Sequence, residues 1–165
     1  MREIKIEKVV LNIGCGSDQD KLKRAEKLLK VITGQKPLIT RTKRRTTFGM
    51  ARKRPIGVKV TLRKKKAEEF FKDALIAVGK ELRRDQINDG NFSIGIKEYI
   101  DLPNVKYDPS IGILGMDVCV ALERPGFRVK RRKIKKSKIG KKHLITKEET
   151  IEWLMKNFGV KIVEE

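Results

Sequence analysis

Residues 40–63 read TRTKRRTTFGMARKRPIGVKVTLR, a basic stretch followed without a break by an alternating one. The second half points to the fold. Ile56, Val58, Val60 and Leu62 recur every second residue, the period of a strand with one buried face, so Lys59, Thr61 and Arg63 face the other way. The first half cannot bury itself. From Thr40 to Arg54 it carries seven basic residues and no acid, and Phe48 and Met50 are its only large apolar side chains. A basic loop hung from a rigid strand suits a phosphate-rich partner. Arg and Lys neutralise phosphates, Thr donates to phosphate or sugar oxygens, and the ring of Phe48 offers a face to an unpaired base or serves as an apolar anchor. A solvated basic loop is the competing reading.

Upstream, residues 4–13 alternate in two registers, Ile4 and Ile6, then Val9, Leu11 and Ile13. That pattern predicts a strand with a bend or bulge near Glu7 and Lys8, and it turns Asn12 away from the core. Gly14-Cys15-Gly16 then reverses the chain. Ser17 or Asp18 can cap a helix that buries Leu22, Ala25, Leu28, Leu29 and Ile32 and stops at Gly34. A Gly-x-Gly between strand and helix has the outline of a nucleotide-binding turn. The third glycine is missing, however, and Asp18 and Asp20 put negative charge where a phosphate would sit, so the turn reads as structural. A short strand over residues 36–42 leads into the basic loop.

Downstream, Ala67, Phe70, Phe71, Ala74, Leu75, Val78 and Leu82 follow helical spacing, which predicts the longest helix over residues 66–84. Phe70 and Phe71 read as core, since charges occupy the opposite face. A turn over residues 88–91 precedes a strand carrying Phe92, Ile94 and Ile96. Residues 101–114, with Pro103, Pro109 and Gly112, read as a bent loop exposing Tyr107, and residues 116–123 as another strand. Residues 124–147 hold twelve basic residues and no acid, a block expected to stay without fixed structure until it meets a partner. Thr146 and Glu149 form a capping box for a last helix with Ile151, Leu154, Met155 and Phe158 on one face and Gly159 at its end.

This order of elements predicts an α+β fold: a single domain over residues 1–165, an antiparallel sheet with helices packed on one face, a basic loop at 43–54 and a basic C-terminal extension at 124–147. The formal charge of +20 is concentrated, with fifteen basic residues and no acid between residues 27 and 67 and twelve more in the extension. Self-repulsion on this scale calls for a polyanion. No long apolar run or signal-like start points to a membrane. Cys15, Cys119 and the single His143 cannot supply a zinc site; both cysteines read as reduced and packed, and no cofactor or metal is expected. An enzyme is disfavoured. One histidine supports no catalytic set, and Asp85, Asp89 and Asp101 are scattered over a helix end and loops instead of clustered as a metal-dependent nuclease needs.

The chain resembles a ribosomal protein family, that of the fifth protein of the large subunit. The resemblance is carried by Ile32-Thr33-Gly34-Gln35-Lys36-Pro37, Thr40, Lys43, Phe48, Arg52 and the run from Pro55 to Arg63. Val9-Val10-Leu11-Asn12-Ile13-Gly14, Asn91-Phe92-Ser93-Ile94-Gly95-Ile96 and Gly115-Met116-Asp117-Val118-Cys119-Val120 follow in the family's order, so nearly the whole chain is covered. The tail from Glu123-Arg124-Pro125-Gly126-Phe127 is similar to the archaeal branch, and Cys15 within the glycine turn is the one departure. The resemblance implies a cytoplasmic ribosomal component that grips 5S ribosomal RNA with its open sheet face. By position this falls on Asn12, Thr40, Lys59 and Thr61; Thr42 and Arg63 join them if the N-terminal strands share that face. It also implies that Lys43, Arg44, Arg45, Phe48, Arg52, Lys53 and Arg54 form a loop that meets P-site transfer RNA. The remaining implied partners are 23S ribosomal RNA and, through residues 104–115, a small-subunit protein across an intersubunit bridge.

Overall fold

Period-two alternation yields three long strands, β1 (Lys5–Gly14), β3 (Pro55–Leu62) and β7 (Met116–Glu123). In the computed structural model, which describes residues 1–45 and 51–163, they are the centre of a six-stranded sheet. β2 (Leu38–Arg41) flanks β3, while β6 (Asn91–Ile96) and the short β5 (Ile87–Asn88) flank β7, giving the order β2-β3-β1-β7-β6-β5. Every pairing in this sheet is antiparallel. The expected irregularity in β1 is present. Its register against β7 shifts between Ile6 and Lys8, leaving Glu7 as the extra residue of a bulge.

One face of the sheet is the core face. Val9, Leu11 and Ile13 of β1, Val58, Val60 and Leu62 of β3, and Val118, Val120 and Leu122 of β7 are all buried there. Helix α1 (Gln19–Thr33) covers them with Leu22, Ala25, Leu28 and Leu29, and α2 (Lys65–Ala77) with Ala67, Phe70, Phe71, Ala74 and Leu75. The ring of Phe71 packs on Phe92 of β6 and on Phe158 of α3 (Lys147–Phe158), so strands and helices close on one aromatic contact. Local signals explain the helix ends. The carboxylate of Asp18 accepts from the amides of Asp20 and Lys21, Gly34 takes a left-handed C-cap at φ 63°, and Thr146 with Glu149 completes the capping box of α3. The amides of Cys15 and Gly16 both donate to the carbonyl of Ile56 (2.9 and 3.0 Å), so this glycine turn spends these two donors on β3.

Several expectations are corrected. α2 ends at Ala77, and the 15-residue α1 is longer than the 13-residue α2. Gly79 (φ 70°) and Lys80 (φ 59°) are both left-handed, and the Lys80 amide closes back on the carbonyl of Leu75 at 2.8 Å. Leu82 keeps its helical spacing by coincidence: it is buried from a short strand β4 (Glu81–Arg83), paired in parallel with β8 (Lys161–Val163). Met155 lies off the packed face of α3 and is 48% exposed; Thr150 and Leu154 are buried in its place. Cys15 is buried as expected, whereas Cys119 is exposed. The basic block 124–147 is anchored at both ends, through buried Arg124, Phe127 and Ile145.

Candidate nucleic-acid interface

Because β1, β3 and β7 bury alternate residues under the helices, the remaining alternate residues form an uncovered face. In the cross-strand register, Asn12 of β1 stands between Lys59 of β3 and Asp117 of β7. Thr61 lies two pairs along, opposite Val10, and Thr40 of β2 stands opposite Gly57. A side chain at Gly57 would place its Cβ 2.7 Å from the carbonyl of Ile13 and 3.1 Å from Oγ1 of Thr40, so glycine is what lets the Thr40 hydroxyl sit here. The structure therefore brings Asn12, Thr40, Lys59 and Thr61 together: an amide, two hydroxyls and an ammonium on one rigid surface. Arg63 follows the end of β3, with its guanidinium 3.8 Å from Glu7.

The two halves of the face differ. The β2-β3-β1 half carries Lys59, Arg63 and Lys8, while the β7-β6 half presents Asp117, Cys119, Ser93 and Gly95, all exposed. Small side chains there keep the surface low, which permits close approach of a helical backbone read by shape and 2′-hydroxyls. Among the described residues, no group of three or more His, Cys, Asp or Glu side chains could hold a metal ion, and no helix is long and apolar enough to cross a membrane.

Thr42 does not join this face. It is 8% exposed, its hydroxyl donates to the carbonyl of Ala51 (2.7 Å) and accepts from the amide of Arg54 (3.0 Å), and its backbone bonds both Lys53 and Arg54. The β2–β3 register slips just before it, between Thr40 and Arg41, where Ile56 is the extra residue of β3. Thr42 thus closes the base of the basic loop. Lys43, Arg44, Arg45, Arg52, Lys53 and Arg54 are exposed around that closure, and Lys53 is left-handed at φ 67°. Phe48 lies outside the described residues.

Two anchoring features had no sequence signal beyond the capping box. Arg124, 5% exposed, donates through Nη2 to Glu149 Oε1 (2.8 Å) and through Nη1 to the carbonyls of Leu144 (3.1 Å) and His143 (3.4 Å). That hydrogen bond, followed by one from the Thr146 amide, holds the Glu149 carboxyl below the usual carboxylate range. Residues 104–115 are likewise pinned. Lys27 of α1 reaches Asp108 (3.0 Å) and Ser110 (2.5 Å), Asn104 donates to Asp73 of α2 (3.2 Å), and the Asp108 amide donates to the hydroxyl of fully buried Tyr99 (3.0 Å). Tyr107 (54% exposed) and Ile113 (63% exposed) stand out from this fixed loop.

Residues 1–47 match the family model described as ribosomal protein L5, and residues 55–153 match the model for the C-terminal part of the same ribosomal family. The chain is similar to the large ribosomal subunit protein uL5 of Methanococcus aeolicus (51% identity, covering 100% of this chain and 94% of the relative). It is similar also to those of Sulfurisphaera tokodaii (50%, covering 99% and 94%) and Archaeoglobus fulgidus (51%, covering 99% and 92%).

Proposed function

The chain belongs to the ribosomal protein L5 family, a structural component of the ribosome and not an enzyme, and on that premise we propose that it binds 5S ribosomal RNA through its open sheet face and helps anchor that RNA in the central protuberance of the large subunit. The observation that carries this reading is the row of Asn12, Lys59, Thr61 and Thr40 on the sheet face opposite the one that α1 and α2 cover. Hydroxyl and amide donors on a flat, rigid surface suit A-form RNA, whose shallow minor groove displays 2′-hydroxyls. A duplex DNA reader instead inserts a helix or ribbon into the major groove.

Two further contacts belong to the proposal. The exposed cations at 43–45 and 52–54 meet P-site transfer RNA, a partner other than the RNA held by the rigid sheet. The pinned loop 104–115, with Tyr107 and Ile113 exposed, meets a small-subunit protein across the intersubunit bridge, and 23S ribosomal RNA is the neighbouring nucleic acid. Competition among 5S ribosomal RNA, an unrelated structured RNA and duplex DNA tests the central claim. The expected result is clear preference for 5S and a slope of log affinity against log salt steeper than about −3, as four or five neutralised phosphates give. Equal affinity for duplex DNA overturns it.

A further inference from the structure

An acid on a surface that receives phosphates opposes binding, so Glu7 calls for a physical explanation. It is the extra residue of the β1 bulge, at the end of the open face where β3 also finishes. Its side chain is only 9% exposed because cations surround it: Arg63 at 3.8 Å, Lys8 at 3.9 Å, and Arg131 of the C-terminal extension, which pairs with both Glu7 and Glu123. Arg63 and Arg131 remain 55% and 40% exposed. The carboxylate is covered while the guanidinium groups reach solvent. An Arg carries five N–H donors in a fixed fork; Arg131 gives one from Nη1 to Glu7 and one from Nη2 to Glu123, so three remain to meet a phosphate.

Arg131 is held from behind as well. Its amide donates to the carbonyl of Arg128 (2.9 Å), at the end of a 3₁₀ turn (Phe127–Lys130) seated by buried Phe127, over whose ring the ammonium of Lys130 lies at 4.7 Å. The extension therefore reaches the sheet at a defined point beside β1.

We propose that Glu7 is a positioning carboxylate that ties the C-terminal extension to the open sheet face, so that Arg131 and Arg63 contact phosphates of one and the same RNA molecule. This rests on the reading that the open face binds 5S ribosomal RNA. It assigns Arg131 to that footprint and makes the extension a continuation of the sheet surface. An ion-pair network with no part in binding is the alternative, and the sign of the Glu7 effect separates them. Loss of a bare negative charge strengthens RNA binding, whereas loss of a positioning group weakens it.

The test measures 5S ribosomal RNA affinity across a salt series for the full chain, Glu7→Gln, Arg131→Gln, their double variant, and Glu152→Gln as a control acid on the exposed side of α3. The expected result is a loss of about tenfold for each of the first two, the size of a charge-assisted hydrogen bond. The double variant loses clearly less than the product of the singles, because the residues act as a unit. Arg131→Gln flattens the salt slope by about one phosphate, and Glu152→Gln does not weaken binding. Unchanged or tighter binding by Glu7→Gln, or independent effects in the double variant, overturns the inference. If Glu7→Gln melts early, Arg131→Lys decides. It keeps the charge without the fork, so a loss close to that of Arg131→Gln supports positioning and full retention overturns it. A full chain with no preference for 5S overturns the proposed function together with this inference, whereas intact preference with unaffected variants overturns this inference alone.

Discussion

Arg124 and Glu149, 25 residues apart in sequence, share a 2.8 Å charge-assisted hydrogen bond that joins the end of β7 to the first turn of α3. Glu149 serves twice, because its other oxygen accepts from the Thr146 amide at 3.1 Å in the capping box. Arg124→Ala removes a buried donor and leaves the carbonyls of His143 and Leu144 without it, while Glu149, its side chain 41% exposed, can be resolvated. The expected cost is about 2 kcal/mol, below that of breaking a fully buried pair. Urea denaturation measures it, and limited proteolysis should show earlier cleavage within 124–147.

Asp108 provides a pH test. Its carboxyl is held down to about 2 from an ordinary 3.8, first by the Ser110 side chain and then by Lys27. A folded-state value below the unfolded one means that the pinning is fully present above about 3.8 and fades as pH falls through the folded value near 2. An NMR titration of Asp108 should place its midpoint well below the ordinary carboxylate range. Ser110→Ala should raise the midpoint more than Lys27→Met does; the reverse order contradicts the assignment of causes.

The sheet face and the loop base separate by substitution. Thr61→Ala and Asn12→Ala remove groups on the open face and should weaken 5S binding by roughly 1 to 3 kcal/mol with little change in melting. Thr42→Val should do the opposite, costing about 1 to 2 kcal/mol of stability because the Ala51 carbonyl and the Arg54 amide lose their partner, with RNA affinity little changed. Binding isotherms and thermal melts on the same three variants decide.

Substitutions in the basic loop test the proposed division between two RNA partners. Replacing Arg44, Arg45 and Arg52 with Gln leaves Thr42 and its closure intact, so the fold and most 5S affinity should persist. Ribosomes assembled with this variant should hold P-site transfer RNA less well. Collapse of 5S binding with unchanged transfer RNA retention shows that the loop belongs to the 5S footprint.

Much of this architecture is legible in the chain because its causes are local. Alternation in β1, β3 and β7, the caps at Asp18, Gly34, Thr146 and Gly159, and the break near Glu7 depend on residues within a turn or a strand of one another. The row of Asn12, Lys59 and Thr61 follows too, once strands bury their apolar faces on a shared core. Tertiary structure alone decided the rest. The end of α2 turned on whether Leu82 packed from a helix or from a strand, and a parallel partner 80 residues away, Ile162, set that outcome. Thr42 is buried because Ala51 and Arg54, on the far side of the loop, return to bond its hydroxyl, and Arg131 met Glu7 across 124 residues of chain. A charged side chain in sequence shows only that it needs a partner or water. Which of the two it obtains depends on where the backbone brings distant segments together, and no local pattern encodes that distance.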